Sequence, residues 1–73
     1  MTEKMVNILI KIASKCKTKD GCRIKITSSI GRPLDILIVE KVYDNGTIAG
    51  YSECTDIDTA YYITDGIGVE FLN

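Results

Sequence analysis

The sequence contains no histidine and no tryptophan, and it has only one proline and one phenylalanine. Histidine is the commonest general base near neutral pH and the commonest zinc ligand, so its absence removes the usual Ser-His and Cys-His nucleophile pairs. Neither a Gly-x-x-x-x-Gly-Lys phosphate loop nor a Gly-x-Gly-x-x-Gly motif is present. We therefore predict that the chain is not an enzyme, with no catalytic residues, no cofactor and no bound metal.

Long apolar runs are also missing. No stretch approaches the ~18 consecutive apolar residues that a membrane-spanning helix requires, and the N-terminal segment lacks the cleavage site of a signal peptide. The three cysteines are too few and too sparse for a disulfide framework. These absences predict a soluble, cytoplasmic protein without membrane contact, in which Cys16 and Cys22 are core residues rather than reactive thiols.

The length of 73 residues predicts a single domain, 1–73. A chain of this size buries only ~60% of the surface that its unfolded form exposes. It either folds alone with a small core or gains stability as a homo-oligomer, and the sequence leaves both open.

Apolar residues in the first segment recur with the period of a helix. Met5, Leu9 and Ile12 fall on one face, while Lys11 and Lys15 fall on the opposite face. The pattern predicts an amphipathic helix over about residues 3–17. Thr2 is the expected N-cap, and Asp20-Gly21 is the expected stop.

After Gly21 the apolar period becomes two, which indicates β-strands. The predicted strands cover residues 22–27, 34–43, 47–51, 59–64 and 67–71. Asn45-Gly46 favours a type I′ hairpin turn, and Asp65-Gly66 is the second expected turn. The long second strand carries apolar residues on both of its faces, so we expect both faces to find some cover near its middle.

One helix followed by about five antiparallel strands predicts an α+β, mostly β fold. We expect the strands, over about residues 22–72, to form an Sm-like or SH3-like small barrel behind the helix. The alternative is an open antiparallel sheet packed on the helix.

Turn and strand residues follow a distinctive order through the second half of the chain. The segments concerned are Gly31-Arg32 before the long strand, Val42-Tyr43-Asp44-Asn45-Gly46, Gly50-Tyr51, and Tyr62-Ile63-Thr64-Asp65-Gly66-Ile67 leading into Val69-Glu70. This order resembles the small barrel core of WYL-type regulatory domains. The return strand, Thr47-Ile48-Ala49, lacks the Trp-Tyr-Leu tripeptide, and no basic residue follows Tyr62. The resemblance implies a regulatory module that senses a ligand or nucleic acid, and it carries over no binding residues.

Charge is distributed unevenly along the chain. Residues 1–33 hold eight Lys or Arg against two acids, a net charge of +6, and residues 34–73 hold one Lys against eight acids, a net charge of −7. All five aromatic residues lie in the acidic half. Each half can therefore attract a partner of opposite sign.

The two halves give two functional hypotheses. The first is a non-catalytic regulatory module that binds nucleic acid or a nucleotide-like ligand through basic residues that contact phosphates. Those residues are Lys11, Lys15, Arg23, Lys25 and Arg32. The alternative is a small inhibitor or adaptor, of the kind found in phages and mobile elements, that binds a basic partner protein through acidic, tyrosine-bearing strands. Those residues are Tyr51, Asp56, Asp58, Tyr61 and Tyr62.

Overall fold

One helix precedes five strands in residues 2–64 and 66–73, the parts of the chain that the computed structural model describes. The elements are α1 (Glu3–Cys16), β1 (Cys22–Thr27), β2 (Pro33–Val42), β3 (Thr47–Ser52), β4 (Ile57–Tyr62) and β5 (Gly68–Phe71). This order confirms the predicted α+β, mostly β class. Within the described ranges, no helix is long and apolar enough to cross a membrane.

Helix α1 begins and ends where the sequence predicts within one residue. The hydroxyl of Thr2 accepts a hydrogen bond from the backbone N–H of Met5 at 3.3 Å, which satisfies one of the free N–H groups of the first turn. After the helix, Gly21 adopts a φ of +71°, a conformation that favours glycine. Leu9 and Ile12 are buried with Met5 against the sheet.

The five strands form one antiparallel sheet in the order β4-β3-β2-β1-β5. The chain therefore runs as a meander from β1 to β4, and β5 returns to pair with β1 on its free side. Ile24 of β1 lies opposite Leu37 of β2 and Phe71 of β5, and all three face α1 and the core. We call this side of the sheet the inner face and the opposite side the outer face.

A long-range hydrogen bond shows that the sheet coils strongly. Tyr61 lies level with Val42 of β2 through Ile48 of β3. In a flat sheet, Tyr61 would therefore sit roughly 20 Å along the strand direction from Asp35. Its hydroxyl nevertheless donates to the Asp35 carboxylate at 2.6 Å. The sheet curls so that β4 approaches the start of β2 across the inner face.

The sheet is open in the described residues, with β4 and β5 at its two edges. The predicted closure into a barrel is not confirmed, and the arrangement corresponds to the alternative, an open sheet packed on a helix. In the part of the chain that the structure describes, no helix or second sheet covers the outer face. Cover on the outer face of β2 is partial near the middle of the strand, where Ile36 is half-buried and Ile38 is 39% exposed.

Two turns differ from their predictions. Gly46 has a φ of +91° while Asn45 has a negative φ, and the Gly46 N–H donates to the Tyr43 carbonyl at 3.2 Å. This is a three-residue loop with an ordinary turn followed by a left-handed glycine, not a type I′ turn. The β3–β4 turn ends at Asp56, whose φ is +62°. Strand β4 therefore starts two residues earlier than predicted. The predicted Asp65-Gly66 turn includes Asp65, which lies outside the described residues.

Gly50 allows β2 and β3 to approach closely at a bulge. The register between these strands shifts between Val39 and Lys41. A Cβ atom at Gly50 would overlap the carbonyl of Ile38. Only glycine fits at this position.

Candidate protein-binding surface

Tyrosine and acidic side chains lie together on the outer face of the β3–β4 hairpin. Tyr51 is paired with Asp58 across the two strands, and Tyr62 is paired with Thr47 at the other end of β4. Asp56 lies in the turn that joins the strands. We call Glu40, Tyr51, Asp56, Asp58 and Tyr62 together the acidic surface. It brings together four of the five residues that the sequence assigned to protein binding.

A shallow depression of about 300 Å³ lies within the acidic surface. Its lining residues are Glu40, Ala49, Gly50, Asp58, Thr59 and Ala60. The small side chains leave the space open, and the carboxylates of Glu40 and Asp58 are the only charged groups among the described lining residues. Two carboxylates beside a space of this size create a negative potential that suits a Lys or Arg side chain.

Strand β4 forms an unprotected edge next to the depression. On the side away from β3, it has no strand partner in the described part of the chain. Its sequence contains no Lys and no Pro, the residues with which proteins commonly protect an edge. Ile57 and Tyr62 at its two ends are 61% and 59% exposed. Such an edge can accept a further strand through its backbone groups.

Tyr61, the fifth residue predicted for protein binding, faces the opposite way. Its side chain lies on the inner face, where its hydroxyl donates to Asp35. Asp35 is only 3% exposed. Its carboxylate also accepts from the hydroxyl of Ser52 at 2.7 Å and from the backbone N–H of Ile36 at 2.7 Å. Tyr61 is thus part of a buried network that joins β2, β3 and β4.

The network determines the protonation of its members. Burial by itself would raise the pKa of Asp35, but hydrogen bonds from Tyr61, Ser52, Cys54 and Ile36 outweigh burial and hold that pKa below its usual range. Burial raises the pKa of Tyr61 to about 12, and the hydrogen bond and negative charge of Asp35 act in the same direction. At neutral pH the network therefore contains a carboxylate and a neutral phenol.

The basic residues of the first hypothesis lie on different sides of the molecule. Lys11 and Lys15 project from one flank of α1 over the ring of Phe71, with their Nζ atoms 4.4 and 5.8 Å from its centre. Lys15 also donates to the backbone oxygen of Asn73 at 2.7 Å. These contacts hold the lysine flank of α1 against Phe71 of β5 and the C-terminal residue Asn73.

Arg23 projects from the outer face of the sheet. Its guanidinium donates two hydrogen bonds to Glu53, with N–O distances of 2.5 and 3.1 Å. The hydrogen bond from Arg23 is the main cause that lowers the pKa of Glu53. The positive charge of Arg23 is therefore already paired within the chain.

Of the other two basic residues, Lys25 follows Arg23 by two positions on the same face of β1, and Arg32 lies apart from both. Lys25 lies on the outer face, opposite Ile36 and Glu70. Arg32 lies in the turn between β1 and β2, where its backbone N–H donates to Ser28. The structure does not assemble the five predicted cations into one surface.

The three cysteines are free thiols. Cys22 is buried in the inner face, as predicted, and Cys16 is half-buried at the end of α1. Burial raises the pKa of Cys22 to about 11 and also raises the pKa of Cys16. Among the described residues, no group of three or more Cys, Asp or Glu side chains is placed to hold a metal ion.

Glu40 and the alanines of the depression were not identified from the sequence. Glu40 belongs to the bulge of β2, and the register shift there places it beside Ala49 and Ala60. A local pattern that could have identified Glu40 is the pair of charged residues, Glu40-Lys41, that ends the apolar run of residues 36–39. The cross-strand pairs that form the depression have no signal in the sequence.

Comparison with known proteins adds no relative. No family model matches this chain, and no curated protein or solved structure matches it significantly.

Proposed function

We propose that this chain is a non-catalytic protein-binding module that takes an extended, basic segment of a partner protein along the free edge of β4. The observation that carries the proposal is the depression between Glu40 and Asp58, which lies directly beside that edge. The backbone of the partner adds a strand to β4, and a Lys or Arg side chain of the partner enters the depression. Ile57 and Tyr62 supply apolar contact at the two ends.

Electrostatics supports a basic partner over an acidic one. Asp56 adds a third carboxylate near the same edge, and its exposed side chain lies in the turn at the start of β4. Charge complementarity of this type raises the association rate and selects against partners of the wrong sign.

The proposal also includes the type of fold and the cellular location of the protein. The strand order and the strong coiling of the sheet support a small, partly open barrel of the Sm-like or SH3-like type, in which the edge of β4 stays free. Free thiols at all three cysteines are compatible with a cytoplasmic protein.

A pair of synthetic peptides tests the proposal. One alternates lysine with valine, and the other has glutamate in place of lysine. We expect the lysine peptide alone to bind, and its addition should shift the backbone amide NMR signals of residues 57–62. The double variant Glu40→Gln, Asp58→Asn should weaken binding by on the order of tenfold.

Glu70→Gln provides the matched control, because Glu70 is an exposed acid on the outer face at the opposite edge of the sheet. It should leave binding unchanged. Equal binding of the two peptides, or shifts confined to β5, would contradict the proposal.

Nucleic-acid binding is the second candidate, and one observation favours it. Lys11 and Lys15 share one helix flank with the ring of Phe71, which combines positive charge with an aromatic group. Binding of single-stranded DNA should then fall steeply with salt and should be lost in the double variant Lys11→Ala, Lys15→Ala. Absence of binding at low salt excludes this candidate.

A further inference from the structure

The flank of α1 opposite the lysines is apolar and uncovered. Val6 and Ile10, one helical turn apart, are 41% and 61% exposed. Together with Val42 of β2 and the following residues Tyr43 and Asp44, they border a groove of about 240 Å³. This groove shares no lining residue with the acidic surface, and only Glu40 of that surface borders the depression next to it.

The groove continues toward the C-terminal end of α1. Ala13 and Val42 line both this groove and a neighbouring depression of about 320 Å³, which is also bordered by Cys16, Lys17, Glu40 and Lys41. A channel between helix and sheet therefore extends along α1 from Val6 to Lys17, with apolar residues from Val6 to Ala13 and charged residues at its end.

Charge changes sign between the two ends of this channel. At the N-terminal end, Asp44 lines the channel, and the exposed Glu3 lies one turn before Val6 on the same flank of α1. At the other end, Lys17 lines the channel, and Lys41, whose Nζ lies 4.8 Å from the centre of the Tyr43 ring, offsets Glu40. A surface with an apolar centre and ends of opposite sign is complementary to itself when it is turned by 180°.

We propose that the occupant of this channel is a second copy of the chain, with the two α1 helices packed antiparallel around a two-fold axis near Ile10. Val6, Ile10 and Ala13 of the two copies meet at the centre. Asp44 of each copy then faces Lys17 of the other, so both ends of the interface pair opposite charges. The dimer supplies the apolar burial that a 73-residue chain has in short supply. The proposal does not depend on the function of the β4 edge.

Sedimentation velocity of paired variants tests the dimer. Ile10→Asp places a charge at the centre of the channel, while Ile30→Asp places one at a position that is 77% exposed in the β1–β2 turn. We expect the unmodified chain and the Ile30→Asp variant to sediment as dimers, and the Ile10→Asp variant to sediment as a monomer. Both substitutions are at exposed sites, and circular dichroism checks that both variants are folded.

A charge exchange tests the antiparallel geometry. Asp44→Lys and Lys17→Glu each place like charges at both ends of a homodimer, so each variant alone should dimerise weakly. A mixed dimer of the two variants pairs opposite charges at both ends, so mixing them should restore dimers. The proposal is overturned by an unmodified chain that stays monomeric at millimolar concentration, or by a mixture that dimerises no better than its components.

Discussion

Alternate residues of the same strands point to the inner and outer faces of the sheet, yet the two faces differ in how their polar groups are paired and exposed. On the inner face, the carboxylate of Asp35 is buried and is matched by donors from Tyr61, Ser52 and the backbone. On the outer face, Arg23 and Glu53 form an exposed ion pair beside the partly exposed Ile38. One helix can cover only one face of a five-stranded sheet. The inner face therefore forms the core that stabilises the fold, and the outer face is left partly exposed to solvent.

The largest expected difference in stability is between substitutions of two isoleucines on neighbouring strands. Ile24 on the inner face is fully buried, and Ile38 on the outer face is not. Ile24→Ala should lower the free energy of unfolding by about 3 kcal/mol, because it leaves a cavity, whereas Ile38→Ala should lower it by about 1 kcal/mol or less. Urea denaturation measures both values. Equal losses would show that the outer face is covered as well.

Asp35 should make the free energy of unfolding depend on pH in the acidic range. Its pKa is lower in the folded chain than the ordinary value of about 4. Its contribution to stability is therefore complete above that value and is lost as the pH falls below it. Asp35→Asn should cost about 2 kcal/mol at neutral pH, because the buried hydroxyls lose a charged acceptor.

The acid dependence is measured by urea denaturation between neutral and acidic pH. Asp35→Asn should flatten the decline at low pH, and Asp58→Asn on the outer face should not. An unchanged decline in the Asp35 variant would contradict the assignment.

Adjacent tyrosines provide a smaller contrast. Tyr61→Phe removes the hydrogen bond to Asp35 and should cost about 1 kcal/mol, while the exposed Tyr62→Phe should cost almost nothing. In an alkaline titration followed by ultraviolet absorbance, the phenol that ionises near pH 12 should disappear in the Tyr61 variant only. If the ionisation near pH 12 persists in the Tyr61 variant, it belongs to another tyrosine, and the assignment to Tyr61 is contradicted.

The Arg23–Glu53 ion pair should have the smallest effect. Both groups are exposed, so solvent and salt screen their attraction. A double-mutant cycle with Arg23→Ala and Glu53→Ala should give a weak coupling at low salt and none at high salt. A coupling that survives high salt would indicate a partly desolvated pair.

Local patterns predicted the elements of the fold well. The bounds of β1 coincide with the prediction, and those of α1 differ by one residue, because apolar periodicity and the Thr2 cap are properties of neighbouring residues. The turn at Asn45-Gly46 was placed correctly but given the wrong type. Its conformation depends on how strongly the two strands twist, which the dipeptide alone does not determine.

The candidate site was predicted only in part, because its geometry depends on sheet coiling. Tyr51, Asp58 and Tyr62 share the outer face as strand alternation requires. Tyr61 contacts Asp35 only because the sheet coils, since the two residues lie far apart along the strand direction. The position of Glu40 beside the depression depends on the β2 bulge. The five predicted basic residues lie in separate places, with Lys11 and Lys15 on the helix side of the sheet and Arg23 and Lys25 on its outer face.

The return of β5 to β1 has a consequence for the order of folding. The strands from β1 to β4 pair with sequence neighbours, so their hairpins close short loops. Strand β5 pairs across a much longer stretch, and Asn73, whose side chain accepts from the N–H of Arg23 and donates to the Gly21 carbonyl, is fifty residues from Arg23. Closing the longer loop costs more chain entropy, so we expect β5 to join last. It should also detach first, which would make its amides the earliest of the sheet to exchange with deuterium and would uncover the lysine flank of α1 while the meander stays folded.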